Sequence, residues 1–548
     1  MGLAIKNQKG LIFIITTLVF IITRFILFQG LNGTDDLHYA MLPAKLLKGH
    51  YNPFEPADIF SGRILLISWQ ALIYKVAGVS VFTTCIGTII AVIISCWLVV
   101  YKMMSEKTAT TTLLACSLFY FNPTLTESTR GILPDAYIML VGIIVFLLLR
   151  PTLLVKSSEK KYRVKYILIG IIIATTLLIK ETVLVFVPFA TLIGFVYRGK
   201  KSLLGSLYIL LSFTLMVALL ALSYYYFTGN AFIKILQIKN SAYDRNSNLF
   251  IRLTVGVYEQ FITSGFYPVV LCCIVILIKF CKWKKIDLQT DLWIISFCLL
   301  LSISLYFPFS LKDYQPLPSE SRHFLFLLPF AVIVVTNSLY YKNKEISDLL
   351  VSVFLLLTLI ACTITTGNKW QWMIYGFLSG CFICAFFSSR FSRSLKQIIL
   401  VLILFISIFE NMFFLKKRWF QDMQQLSKQL HSDYYYFSDH DYMMHWKLLH
   451  QFNDTTFTYY NLQRNQFKFF TVYYKYPDSS EFHPGWMIMN KHDPAMLRLF
   501  PRHLNSLQAK NYFSVSIVVG ELNAYYLKDQ QQLFIIKNII AESHDRRL

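Results

Sequence analysis

Two adjacent carboxylates, Asp35 and Asp36, stand just past the first long apolar run of the chain. A carboxylate at a membrane surface can accept the proton of a hydroxyl that is becoming a nucleophile. In Thr34-Asp35-Asp36, ahead of a further helix, the same acids would equally serve as an N-cap. Other ionisable residues recur at the ends of later apolar runs: Ser61-Gly62-Arg63, Leu133-Pro134-Asp135, Lys180-Glu181-Thr182, and Ser319-Glu320-Ser321-Arg322-His323. Asp135 opens a run, where the helix dipole favours an acid. Lys180 and Glu181 lie between two runs and could simply neutralise each other. Arg322 beside a helix start suits an anion such as phosphate, although an interfacial anchor would look the same. Together these residues place carboxylates and cations on one side of a membrane. A lipid-phosphate donor and a hydroxyl acceptor would need that combination.

The elements that must position them follow from composition. The 548-residue chain is 55% hydrophobic and only 15% charged, with a formal net charge of +22 and a mean hydropathy of +0.51. A soluble protein is normally about 25% charged, so a disordered chain is excluded and an ordinary soluble enzyme disfavoured. Apolar runs occur at 11–29, 81–101, 110–122, 134–149, 166–179, 183–197, 203–227, 266–278, 292–309, 323–341, 349–365, 370–388 and 397–414. They predict a polytopic α-helical membrane protein of about 13 transmembrane helices. Residues 64–77 carry Gln70 and Lys75 and read as an amphipathic helix lying at the interface. With the N-terminus inside, the short inner segments hold nearly twice as many Lys and Arg as the longer outer ones. The charge excess is therefore mostly topology. Its division among short loops argues against nucleic acid as a partner. An odd number of spans places residues 415–548 outside. That tail carries most of the histidines and none of the ten cysteines, and it predicts a small soluble α/β domain. The expected organisation is a transmembrane domain over 1–414, with a first outer loop at 30–80, followed by an extracytoplasmic domain over 415–548.

Several motifs carry no function. Gly194 with Gly199-Lys200 imitates the start of a phosphate loop, but Lys201 stands where Ser or Thr should meet magnesium. Cys381-x-x-Cys384 lies in an apolar run and reads as small buried hydrophobes. In the tail, His431, Asp433, Asp439, His440, Asp441 and His445 read as surface residues rather than metal ligands. Asn32-Gly33-Thr34 is a glycosylation sequon set close to the membrane.

The chain resembles the GT-C superfamily of membrane glycosyltransferases, and within it the protein O-mannosyltransferase and lipid A aminoarabinose transferase group (glycosyltransferase family 39-like). The resemblance is carried by Asp35-Asp36, Ala44…Gly49-x-Tyr51, Leu133-Pro134-Asp135, Lys180-Glu181-Thr182 with Pro188, and Ser321-Arg322-His323-x-Leu325…Pro329. It is good over roughly 1–200, thinner to 415, and does not extend in detail to the tail. It implies juxtamembrane helices in the first outer loop. It also implies transfer of a hexosyl or pentosyl group from a polyprenyl-phosphate carrier to a glycan, lipid or protein hydroxyl on the outer face of a bacterial inner or plasma membrane. Carried over, Asp35 is the general base and Asp36 its companion. Arg63, Lys180 and Arg322, and more weakly Arg24, contact phosphate, while Asp135, Glu181 and His323 complete the substrate site. Asp36 departs from the Asp-Glu pair common in the group, and Ser61-Gly62-Arg63 from a frequent Lys-Pro-Pro run. No cofactor is certain, and a divalent cation stays open. Two rival readings remain. A transporter would need broken helices at mid-membrane and internal repeats. A protein that only binds or flips a lipid-linked sugar would tolerate loss of Asp35.

Overall fold

The computed structural model describes residues 2–26, 31, 33–55, 58–104, 108–154, 162–240, 257, 260–261, 264–282, 292–306, 317–318, 320–339, 419–437, 440–453, 458–461, 482–490, 516–520 and 522–532. The helices up to residue 240 are α1 (Gly2–Ile26), α2 (Gly33–Leu47), α3 (Ile64–Ala77), α4 (Thr83–Leu98, extended by a π turn at Val99–Met103), α5 (Ala109–Tyr120), α6 (Pro123–Ser128), α7 (Asp135–Leu154), α8 (Arg163–Thr176), α9 (Phe186–Arg198), α10 (Leu203–Thr228) and α11 (Ile233–Asn240). Then come α12 (Tyr267–Lys282), α13 (Leu292–Tyr306) and α14 (Leu328–Leu339). Short 3-10 segments lead into α9 (Glu181–Val185) and α14 (Ser321–Leu327).

The apolar runs expected to span, up to 323–341, coincide with α1, α4, α5, α7 to α10 and α12 to α14. The expected runs 349–365, 370–388 and 397–414 lie outside the described residues, as does Cys381-x-x-Cys384. Among the described residues, four helical stretches are long and apolar enough to cross a membrane: Gln8–Phe25, Thr83–Met103, Asp135–Leu154 and Glu181–Thr228. The last contains both α9 and α10. Leu292–Tyr306 has 15 residues; such a helix covers about 22 Å, less than the ~30 Å of a hydrocarbon core. Solvent is written into the side chains of α10, where Leu207, Leu211, Leu215 and Leu222 are exposed. In water such a face would drive association, whereas lipid tails suit it. The α3 helix forms at its expected place, with Lys75 exposed but Gln70 turned inward. Gln70 is buried and donates to the Thr83 carbonyl at 2.8 Å, while Leu65, Trp69, Leu72 and Val76 are exposed.

Local sequence explains the helix ends that matter for the site. Asn122 caps α6 by accepting from the Leu125 N–H at 2.9 Å, with Pro123 at the first helical position. The Pro134 carbonyl accepts from Tyr137 and Ile138, so Asp135 begins α7. Because α7 runs away from Asp135, Arg150 lies near its far end, where it donates to the Lys102 carbonyl at 3.0 Å. Arg163, Lys165, Arg198, Lys200 and Lys201 mark the same far ends of α8, α9 and α10. The bundle thus has one basic end and one end of mixed charge.

The tail contributes α15 (Trp419–Gln429), β1 (Tyr434–Phe437), α16 (His440–Leu449), β2 (Thr458–Asn461), β3 (Gly485–Asn490), β4 (Ser516–Val519) and β5 (Leu522–Leu527). They form a mixed five-stranded sheet in the order β2-β1-β3-β5-β4. Here β1 is parallel to β2 and β3, with Tyr436 opposite Met487, and β5 is antiparallel to β3 and β4. Helix α16 packs along α2, and Lys48 past the end of α2 donates to the Phe452 carbonyl.

Candidate functional site

The ionisable residues singled out in the sequence meet at the mixed-charge end. Lys180 has an extended backbone, with φ −164° and ψ 140°. Successive side chains in an extended chain point to opposite sides, so Lys180 and its neighbour Glu181 serve different partners. Glu181 Oε1 accepts from Arg63 Nη2 at 3.1 Å, both side chains being buried. The Arg63 guanidinium also lies over the rings of Tyr39 and Phe60. On the other side, Lys180 Nζ donates to Asp135 Oδ1 at 2.6 Å and stands 2.8 Å from His323 Nδ1. An ammonium has no lone pair, so Nδ1 is the acceptor and the neutral ring carries its proton on Nε2. That nitrogen lies 3.8 Å from Glu320 Oε2. Glu320 Oε2 in turn accepts from Arg322 Nε at 2.6 Å, and Arg322 Nη2 reaches Asp35 Oδ2 at 3.2 Å.

The result is a chain of charges that runs from a buried interior to an open rim. Arg63, Glu181, Lys180 and Asp135 are almost wholly enclosed, and each has an opposite charge beside it, as buried ions require. Burial pushes the Lys180 ammonium below the ordinary lysine range, with Asp135 pulling the other way. At the rim the side chains of Asp35 and Arg322 are 39% and 27% exposed. Polar donors and a carboxylate are therefore accessible at the same point.

The adjacent acids separate. Asp36, expected beside Asp35 in the catalytic pair, is fully buried. It faces Gly131 so closely that a Cβ there would lie 2.7 Å from its Cγ. One residue along a helix is a rotation of about 100°, so α2 presents Asp35 to the rim and Asp36 to the turn between α6 and α7. His38, one turn from Asp35, is also buried, and burial pushes its imidazole down to about 4. Arg24, a weaker phosphate candidate, is committed elsewhere. It donates to Thr126 through Nη1 to the carbonyl at 3.0 Å and through Nη2 to Oγ1 at 2.8 Å, tying α1 to α6.

Two charged residues given no role in the sequence reading belong here. Glu320 accepts from Arg322 and lies beside His323, 3.8 Å from its Nε2. Lys234, on α11, is half-buried near Glu181, Arg63 and Asp58. The signal for it was a Lys234 and Gln237 pair, three residues apart on one face of an otherwise apolar stretch. Burial lowers the Lys234 pKa to about 8, with Glu181 opposing and Arg63 adding to the shift. An unfolded lysine titrates near 10.4. Between these values the unfolded state binds more protons, so folding is penalised below pH 8 and the penalty is relieved as pH rises. Thermal melts across pH 7.5 to 10 are expected to show the stability of the wild type rising relative to Lys234→Met. A difference independent of pH would contradict the assignment.

Among the described residues, no three His, Cys, Asp or Glu side chains come together as a metal site. Of the tail candidates, Asp439 and the side chains of His440 and Asp441 lie outside the described residues. No family model and no curated protein sequence matches the chain. Among solved structures it is similar to ArnT from Cupriavidus metallidurans bound to undecaprenyl phosphate, at 11% identity and a TM-score of 0.57, over 94% of this chain and 98% of that one. The apo state of the same ArnT aligns at 11% identity and a TM-score of 0.54, over 94% and 97% of the two chains. At this identity the likeness is one of fold: the chain is folded as ArnT is, over nearly the whole length of both chains.

Proposed function

We propose that the chain is an inverting glycosyltransferase that moves a hexosyl or pentosyl group from a polyprenyl-phosphate carrier to an acceptor hydroxyl on a glycan, lipid or protein of the cell envelope. One observation carries this reading: Asp35 and Arg322 share the open rim of a buried ion network, on a fold shared with a protein solved with undecaprenyl phosphate. In this reading the mixed-charge end faces outward from a bacterial plasma membrane. The N-terminus is then cytoplasmic and the tail, residues 415–548, is an extracytoplasmic domain.

The acceptor hydroxyl gives its proton to Asp35 as its oxygen attacks the anomeric carbon. The bond from that carbon to the phosphate oxygen breaks on the opposite face, which inverts the centre. The lipid phosphate leaves as a dianion and needs positive charge more than a proton. Arg322 supplies it at the rim, with Arg63 and Lys180 behind it, and Asp135, Glu181 and His323 hold those cations in place. Without donor, Arg322 is shared by Asp35 and Glu320. A phosphate that draws Arg322 away leaves Asp35 free to act as the base.

Removal of a charged donor to phosphate forfeits about 1.5–3 kcal/mol, so Arg322→Ala should weaken undecaprenyl phosphate binding roughly 10- to 100-fold. Unchanged affinity, measured on the purified protein, would overturn the phosphate role. Mass spectrometry of envelope glycans and lipids from a deletion strain should show a deficit of one sugar, identifying both sugar and acceptor.

A further inference from the structure

Arg63 hangs from the segment between α2 and α3, whose described residues, 51–55 and 58–63, belong to no helix or strand. Its backbone carbonyls need partners from elsewhere, and α11 supplies three of them. Lys234 Nζ donates to the Gly62 carbonyl at 3.1 Å. Gln237 Nε2 donates to the carbonyls of Pro53 at 3.3 Å and Glu55 at 3.0 Å. Gln237 is 1% exposed and presses on Gly62, where a Cβ would lie 1.9 Å from its Oε1. Other ties lie within the segment: Tyr51 donates to the Ser61 carbonyl, Ser61 Oγ to the Asp58 carbonyl, and the Phe60 N–H to Asp58 Oδ1. The Phe54 ring stacks on Phe227 and meets the edge of Tyr224 at the end of α10. Exposed Ile235, with Phe232 just before the helix, gives α11 an apolar outer side, while Lys234 and Gln237 turn inward.

We infer that α11 is a clasp whose Lys234 and Gln237 are positioning residues for Arg63, holding its backbone where the guanidinium can reach both Glu181 and the donor phosphate. The inference rests on the reading of Arg63 as a donor contact. It adds that donor affinity is set partly by a helix that touches no substrate. The peptide that Lys234 holds is the one joining Gly62 to Arg63, so a shift there is carried directly into the guanidinium. The Gly62 position is the sterically critical one, since any side chain would expel Gln237.

The test uses the full chain with undecaprenyl phosphate as the binding probe, and hydrogen exchange of residues 51–63 as a readout that needs no activity. Gln237→Leu should speed exchange in that segment and weaken probe binding about tenfold, with kcat at saturating donor within about twofold. Gly62→Ala should do the same, and Lys234→Arg, which keeps the donor and the charge, should stay near wild type. On an Arg63→Ala background, Gln237→Leu should weaken binding no further, because the residue it positions is gone. Unchanged exchange, a loosened segment with unchanged binding, or effects that multiply in the double variant would each overturn the clasp. If Arg63→Ala alone leaves binding unchanged, the donor-contact reading of Arg63 falls and the clasp's purpose falls with it. If Arg63→Ala weakens binding and Gln237→Leu does not, only the clasp falls.

Discussion

Asp35→Asn should reduce sugar transfer by about 10²- to 10⁴-fold in kcat while leaving the protein folded. The amide has nearly the shape of the carboxylate but cannot accept the acceptor's proton. The side chain is 39% exposed, so no buried charge is stranded by the change. Donor affinity should hold or tighten. Arg322 loses one of its two carboxylate partners and keeps Glu320 at 2.6 Å, so phosphate faces less competition for it. The signature is therefore a fall in kcat without a rise in donor KM, which marks an interaction used only in the transition state. Asp36→Asn should behave in the opposite way. Asp36 is enclosed against Gly131, so its loss should lower the melting temperature and leave kcat per folded molecule nearly unchanged. Transfer by Asp35→Asn at a near wild-type rate would remove the base assignment and favour a protein that binds or flips the lipid-linked sugar. A fall in kcat for Asp36→Asn equal to that for Asp35→Asn would show that the pair works as one unit.

The second large effect is on stability. Lys180→Met removes the cation that sits 2.6 Å from Asp135, in a place where both side chains are nearly inaccessible. Breaking a buried pair from one side typically costs about 3–5 kcal/mol, because the remaining charge is stranded. The expected result is a large drop in melting temperature in detergent and little recoverable protein. Lys180→Met with Asp135→Asn should regain most of the lost stability, since neither charge is then left alone. Undecaprenyl phosphate binding should stay weak in that double variant if Lys180 contributes positive charge to the site. A stable single variant would show that the pair is solvated. A double variant with wild-type affinity would reduce Lys180 to a structural role.

The helices were legible because a long apolar run is a local property. About 20 such residues satisfy their backbone internally and bury their side chains in lipid whatever lies elsewhere in the chain. Thus Thr83–Met103 and Asp135–Leu154 follow from their own residues. The polarity of α3 was not legible, because Gln70 faces inward for the sake of Thr83. A side chain of ambiguous character takes its direction from its partner. In the same way, the place of Arg24 near the end of the first span suggests a weak phosphate contact, and only its distant partner Thr126 shows where its guanidinium points.

The sequence by itself determined which residue types stand at one end of the bundle. Chain direction alternates with each span, so Asp35, Arg63, Asp135, Lys180, Glu181, Arg322 and His323 were grouped before any contact was known. Only the tertiary structure decided how they pair. Arg63 meets Glu181 across 118 positions of sequence, and Arg322 meets Asp35 across 287. Nothing local encodes such pairings, because ion pairs are selected by distance and burial in three dimensions. Tertiary structure also decided that Asp35 is open and Asp36 buried, since a helix turns its successive residues apart and only the packing of α2 says which one meets the rim. It likewise brought Lys234 and Gln237 to the segment that carries Arg63, where carbonyls outside any regular element needed donors.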